Sequence, residues 1–110
     1  MEYTIGEQTY NFNCKLRTCV KIKQQFKKNY NQIIEELDKL DVIDMIKLLY
    51  CGIDSNEITE EDFKNNLLDN CGMGEMYEAL TWFIKQLQYP GLSEEEIEKK
   101  LEEKRQKKAQ

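Results

Sequence analysis

Gly74-Glu75-Met76-Tyr77-Glu78-Ala79-Leu80-Thr81-Trp82-Phe83-Ile84-Lys85-Gln86-Leu87-Gln88 is the stretch on which the fold turns. Met76, Tyr77, Leu80, Trp82, Phe83, Ile84 and Leu87 make it apolar nearly all round at helical spacing. A helix of that kind sits at the centre of a bundle or lies half-exposed at a surface that another molecule covers. The reading taken is a helix from Gly74 to Gln88, with Trp82 and Phe83 in the densest apolar cluster of the fold. Pro90-Gly91 punctuates the chain just beyond it.

Working towards the N-terminus, Cys71-Gly72 closes a preceding helix. That helix starts at Thr59, with Asp62 three residues on as a short capping box and Phe63, Leu67 and Leu68 facing inward. Before it, Asp41 can cap the segment Val42, Ile43, Met45, Ile46, Leu48, Leu49 and Tyr50, and Gly52 is expected to end that segment in a left-handed conformation. Further back, Ile33, Ile34, Leu37 and Leu40 mark another helical stretch. Leu16, Cys19, Val20, Phe26 and Tyr30 define one apolar stripe, and the pattern leaves open whether the two stretches are separated at residues 28–31. The first residues change period altogether. Tyr3 and Ile5, then Tyr10 and Phe12, alternate with polar neighbours around Gly6-Glu7, which predicts a β-hairpin over 2–13 with a type II′ turn. An isolated hairpin is marginal in water, so its aromatic face must lie on the helices.

Towards the C-terminus, Ser93-Glu94-Glu95-Glu96 is a full capping box. Ile97 and Leu101 are the apolar residues of the helix it opens, and Glu95-Lys99, Glu96-Lys100 and Glu103-Lys107 are spaced to form ion pairs. Two apolar side chains bury little, so this helix is expected to project into solvent and fray after about Lys104. The fold class is therefore mainly α: a small helical bundle with an N-terminal β-hairpin and a projecting charged C-terminal helix. The division expected is a helical domain over 1–92 and a charged tail over 93–110.

At 110 residues, with 40% hydrophobic and 34% charged side chains, the chain has material for one modest core. The net charge of −5 belongs to residues 1–93, because 94–110 carries acids and bases in equal number. An acidic body repels phosphate backbones. Lys21, Lys23, Lys27 and Lys28 form the basic patch of note, and a solvated helix face is the plainer explanation of it. No run approaches the ~20 apolar residues of a membrane span, and the first residues lack the apolar core of a secretion signal. The expectation is a cytoplasmic protein without nucleic-acid or membrane partners.

Chemistry has little raw material. There is no histidine, which removes the commonest general base. Cys14, Cys19, Cys51 and Cys71 lack CxxC spacing, so buried small hydrophobes explain them better than a zinc site. Asp54-Ser55-Asn56-Glu57-Ile58 has the alternation of a calcium loop but fails at Ile58, Thr59 and Asn65. Gly52-Ile53-Asp54-Ser55 resembles the attachment site of acyl carrier proteins, yet Asn56 stands where an apolar residue belongs. The expectation is a non-enzyme with no cofactor, metal or catalytic residue.

The order of features resembles a known family. The hairpin Tyr3-Thr4-Ile5-Gly6-Glu7-Gln8-Thr9-Tyr10-Asn11-Phe12 is followed by Ile33-Ile34-Glu35-Glu36-Leu37. Next come Ile46-Lys47-Leu48-Leu49-Tyr50-Cys51-Gly52-Ile53 and Ile58-Thr59-Glu60-Glu61-Asp62-Phe63. Over residues 2–88 this resembles the tail assembly chaperones of siphovirus-type, long-tailed bacteriophages and prophages. The resemblance implies binding to the tape measure protein and the tail tube protein, in the host cytoplasm and without catalysis. It also implies a longer product made by ribosomal frameshifting, for which Gln106-Lys107-Lys108 can be encoded as a slippery run of A. Self-association stays open. No fixed motif marks the contact residues in such proteins; the candidates here are Trp82, Phe83, Tyr77, Ile97 and Leu101. The runner-up is a helical adaptor or regulator, nucleic-acid binding through the Lys21–Lys28 face among its variants, with an acyl carrier third.

Overall fold

The computed structural model describes residues 2–53, 57–89 and 92–109, with side chains described through residue 106. Glu2–Ile5 (β1) pairs antiparallel with Gln8–Asn11 (β2), in the register Tyr3 opposite Tyr10 and Ile5 opposite Gln8. Gly6 has φ +62°, while Glu7 is not among the residues of positive φ. One positive φ at the first central position fits type II′ and excludes type I′. Among the described residues six helices follow: α1 (Leu16–Phe26), α2 (Tyr30–Glu35), α3 (Val42–Tyr50), α4 (Glu60–Asn70), α5 (Met73–Gln88) and α6 (Glu94–Ala109), with a short 3-10 turn at Leu37–Lys39. The chain is mainly α with an N-terminal hairpin.

The hairpin is docked by its apolar face. Ile5, Tyr10 and Phe12 are buried, and the Tyr10 ring stands edge-on to Phe63 of α4 at 4.9 Å and 89°. Phe12 and Tyr50 also pack on Phe63, at 6.2 Å and 5.7 Å. Asn66, one turn along α4, donates to the Ile5 carbonyl at 3.1 Å and to the Tyr10 hydroxyl at 2.6 Å. The solvent face of the hairpin carries the Thr4–Thr9 hydroxyl pair at 2.9 Å.

The expected caps form. Asp41 accepts from the Asp44 N–H at 2.8 Å and Thr59 from the Asp62 N–H at 3.1 Å. Two helices are indeed separated, at residues 27–29: Lys27 turns left-handed at φ 58°, and the Asn29 N–H, just before α2, donates to Gln32 Oε1 at 2.9 Å. The stripe expected from Leu16 to Tyr30 is met in part: Cys19, Phe26 and Tyr30 pack against the core, while Leu16 and Val20 do not. The Thr18 hydroxyl accepts from the Lys15 N–H at 3.0 Å, which turns Thr18 and Ile22 into the core. Leu16 and Val20, on the opposite side of the helix, are then 75% and 55% exposed. Leu68 of α4, also expected to face inward, is exposed as well.

Gly52 has a role other than a left-handed cap, since among described glycines positive φ belongs to Gly6. Its carbonyl accepts from Asn13 N–H at 2.9 Å, next to the isolated bridge Phe12–Ile53. A Cβ there would meet the Phe83 ring at 2.4 Å and the Asn13 carbonyl oxygen at 3.3 Å. Gly52 is therefore a close approach of backbone to ring. Gly52→Ala is expected to cost about 1–3 kcal/mol through overpacking, read as a lower urea midpoint with an unchanged slope. An unshifted midpoint would mean that Phe83 can move aside freely.

The C-terminal helix departs from the expectation of a wholly projecting element. Its first turns rest on α5 through Ile97, which is buried, and it stays helical to Ala109. Ser93 Oγ accepts from the Glu96 N–H at 3.2 Å. The expected Glu95–Lys99 and Glu96–Lys100 pairs are not made; Lys100 and Lys104 instead lie over the Tyr89 ring, at 5.9 Å and 5.5 Å from its centroid. The Lys107 side chain of the third pair lies outside the described residues, as does the punctuation at Pro90-Gly91.

Candidate functional site

The anticipated contact residues divide between core and surface. Phe83 is fully buried against Gly52, so it belongs to the core and cannot reach a partner. Trp82, one residue earlier, points about a third of a turn away. It packs against the core while remaining partly exposed, so the expectation that both rings share the densest cluster holds for Phe83 and fails for Trp82. Tyr77 is 53% exposed. Ile97 is buried and Leu101 half-buried, both on the α6 face turned towards the body of the protein.

Trp82 and Ile97 meet across a cleft of about 500 Å³ between α5 and α6. The α5 wall is Glu78, Thr81, Trp82, Lys85 and Gln86; the α6 wall is Glu94, Ile97 and Glu98. Both walls are helical faces read at intervals of three and four. The Trp82 indole N–H donates to Glu94 at 2.9 Å, closing one end of the cleft. Lys85 and Glu98 face each other at 4.0 Å. Glu78 also accepts from the Tyr3 hydroxyl at 3.3 Å, tying this wall to the hairpin. Tyr77 lies one turn before Thr81, whose hydroxyl donates to the Tyr77 carbonyl at 2.7 Å. With exposed Met73, Tyr77 prolongs the α5 face beyond the cleft.

Gln86 is the residue that sequence reading passed over. It is only 8% exposed, lines the cleft, and has no side-chain hydrogen bond among the described residues. Among the described residues the fully buried polar atom left without a partner is Tyr89 Oη, so the Gln86 amide still touches solvent in the cleft and is open to an incoming polar group. The spacing Glu78-Thr81-Trp82-Lys85-Gln86 was visible in the sequence as one helix face. What could not be read was that α6 would fold back across it.

The four thiols are free. Burial pushes Cys14 and Cys51 up to about 12, with nearby Cys19 adding to the shift at Cys14; burial raises Cys19 and Cys71 as well. Alkylation requires thiolate. Iodoacetamide at mildly alkaline pH is therefore expected to leave Cys14 and Cys51 unmodified in the folded protein and to label them once urea is added. Peptide mass mapping checks this, and rapid native labelling of Cys51 would contradict its packing. Among the described residues no group of three or more His, Cys, Asp or Glu side chains is placed to hold a metal ion. Residues 54–56 of the calcium-like and carrier-like sequences lie outside the described residues. Also among the described residues, no helix is long and apolar enough to cross a membrane.

On α1, Leu16 and Val20 stand exposed among Arg17, Lys21 and Gln24 over a shallow depression of about 570 Å³. Lys21 of this basic helix is partly engaged, donating to the Ile53 carbonyl at 3.1 Å.

Comparison with known proteins finds no matching family model, no matching curated protein and no matching solved structure.

Proposed function

We propose that the chain is a non-catalytic binding protein that holds a segment of a larger helical protein in the α5–α6 cleft. In its most specific form, it is a tail assembly chaperone of a long-tailed phage or prophage acting on the tape measure protein in the host cytoplasm. The observation that carries the binding reading is the cleft itself: a half-exposed tryptophan beside a buried, unpartnered glutamine. Indole and amide together supply apolar area and an oriented polar contact, the combination found at the centres of interfaces. The phage assignment rests on the resemblance of residues 2–88 described above. The tail tube protein is the second partner it implies.

Co-expression tests this reading. The soluble fraction of the long helical protein encoded beside this gene is expected to rise when the wild-type chain is present, and to fall back with Trp82→Lys. A neighbour as insoluble with the chain as without it would count against the chaperone assignment. At the gene level, an uninterrupted run of A across the codons of Gln106-Lys107-Lys108, followed by an open shifted frame, supports the frameshifted product; codons that break the run remove that support.

A second reading has its own observation in exposed Leu16 and Val20 between Arg17 and Lys21. An apolar pair inside a basic helix face suits an adaptor contact with an acidic partner. Arg17→Glu would then abolish partner binding while Trp82→Lys would not.

A further inference from the structure

We propose that the α5–α6 cleft receives a guanidinium group, the side chain of an arginine carried by the partner segment; this rests on the reading of the cleft as the partner surface. The rim supplies the charge. Glu78, Glu94 and Glu98 face the cleft against the single ammonium of Lys85, which is itself drawn to Glu98 at 4.0 Å. Carboxylate or phosphate ligands meet repulsion there, and a cation meets attraction. Glu94 uses one bond on the Trp82 indole and Glu78 one on Tyr3, which leaves each carboxylate further lone pairs.

The walls supply the shape. Trp82 offers an aromatic face, the best of the aromatic surfaces for a cation, and guanidinium stacks on it as a flat ion. Gln86 decides against a plain aliphatic occupant, because such a side chain would cut the amide off from solvent without giving it a hydrogen bond. A guanidinium N–H satisfies the amide oxygen while its other donors reach the rim carboxylates. Ammonium is more strongly hydrated and has no plane to lay against the indole. Ile97 forms the apolar wall for the methylene stem, and about 500 Å³ is room enough for the whole side chain.

The test uses NMR on the full chain. Trp82 is the only tryptophan, so its indole N–H gives a single resonance inside the cleft, next to the Gln86 carboxamide. Nα-acetyl-arginine amide is expected to shift both resonances saturably, with the uncharged isostere Nα-acetyl-citrulline amide about ten-fold weaker. Gln86→Met is expected to weaken the arginine derivative about five-fold without moving the thermal midpoint. Glu78→Gln, at an exposed position, gives the same direction if Gln86→Met folds poorly. The same arginine within a short alanine-based helix is expected to bind more tightly than the free amide. Equal response to arginine and citrulline overturns the cation inference while the partner surface stands. A free amide that binds as well as the helical peptide overturns the assignment to a partner segment in favour of a small guanidinium compound. Resonances unmoved by any of these probes sink the inference outright, and the fate of the partner-surface reading is then decided separately by Trp82→Lys in co-expression.

Discussion

Replacing Phe63 by Ala is expected to remove about 3–5 kcal/mol of folding stability, the range for truncating a fully buried aromatic ring. Phe63 is fully buried, and its ring is the hub on which Tyr10, Phe12 and Tyr50 converge. Two of these belong to the hairpin segment and one to α3, so a single truncation loosens three elements at once. A domain of this size has roughly 5–15 kcal/mol in total, so the loss is a large fraction of it. The hairpin should suffer first. Asn66 holds it by hydrogen bonds to Ile5 and Tyr10, but those bonds form only while α4 is correctly seated. Urea unfolding gives the magnitude, and amide exchange at Tyr3 and Tyr10, the hydrogen-bonded pair two residues from the turn, tells whether the hairpin opens ahead of the rest. A midpoint equal to wild type would show that the hairpin is seated by something other than this ring cluster.

The elements whose boundaries follow from local chemistry were legible in the sequence. The turn at Gly6-Glu7 and the caps at Asp41 and Thr59 each depend on side chains within a few residues of the backbone they satisfy. What required the tertiary structure was orientation. Of the stripe Leu16, Cys19, Val20, Phe26 and Tyr30, the residues Cys19, Phe26 and Tyr30 do pack against the core, yet with the Thr18 hydroxyl on the Lys15 N–H it is Ile22 that goes fully inward and Leu16 and Val20 that stay out. Gly52 reads as a helix stop, and its actual constraint is the Phe83 ring, thirty-one positions along the chain. The two misreadings differ in reach: on α1 the contact is Thr18 with Lys15, within a single turn, whereas at Gly52 it comes from an element that sequence spacing does not bring near.

The cleft shows the same limit. Trp82 and Ile97 stood out as apolar residues at helical spacing, but Gln86, Glu78 and Glu98 are ordinary surface letters until α6 lies across α5. The charge character of the site therefore arises from how two helices meet. Neither helix carries it alone, since α6 balances its acids with bases.

Phe83→Ala is the second large effect, expected at about 3–5 kcal/mol, and its meaning comes from comparison with its neighbour. The two rings sit 6.5 Å apart, tilted by 46°. Phe83 is fully buried beneath Gly52, whereas Trp82 keeps part of its surface in the cleft. Truncation of Phe83 should therefore appear as lost stability, with partner binding reduced only as far as the folded population falls. Trp82→Ala should do the reverse: a smaller stability cost, about 1–2 kcal/mol for the area it withdraws from water, and near-complete loss of binding at a temperature where the variant is fully folded. Measuring both variants by urea unfolding and by capture of the co-expressed partner separates a core ring from a contact ring on adjacent residues. Should Trp82→Ala cost as much as Phe83→Ala and bind normally below its midpoint, the indole is part of the core. The cleft would then be a gap left by helix packing, and the basic α1 face with Leu16 and Val20 would become the surface to pursue.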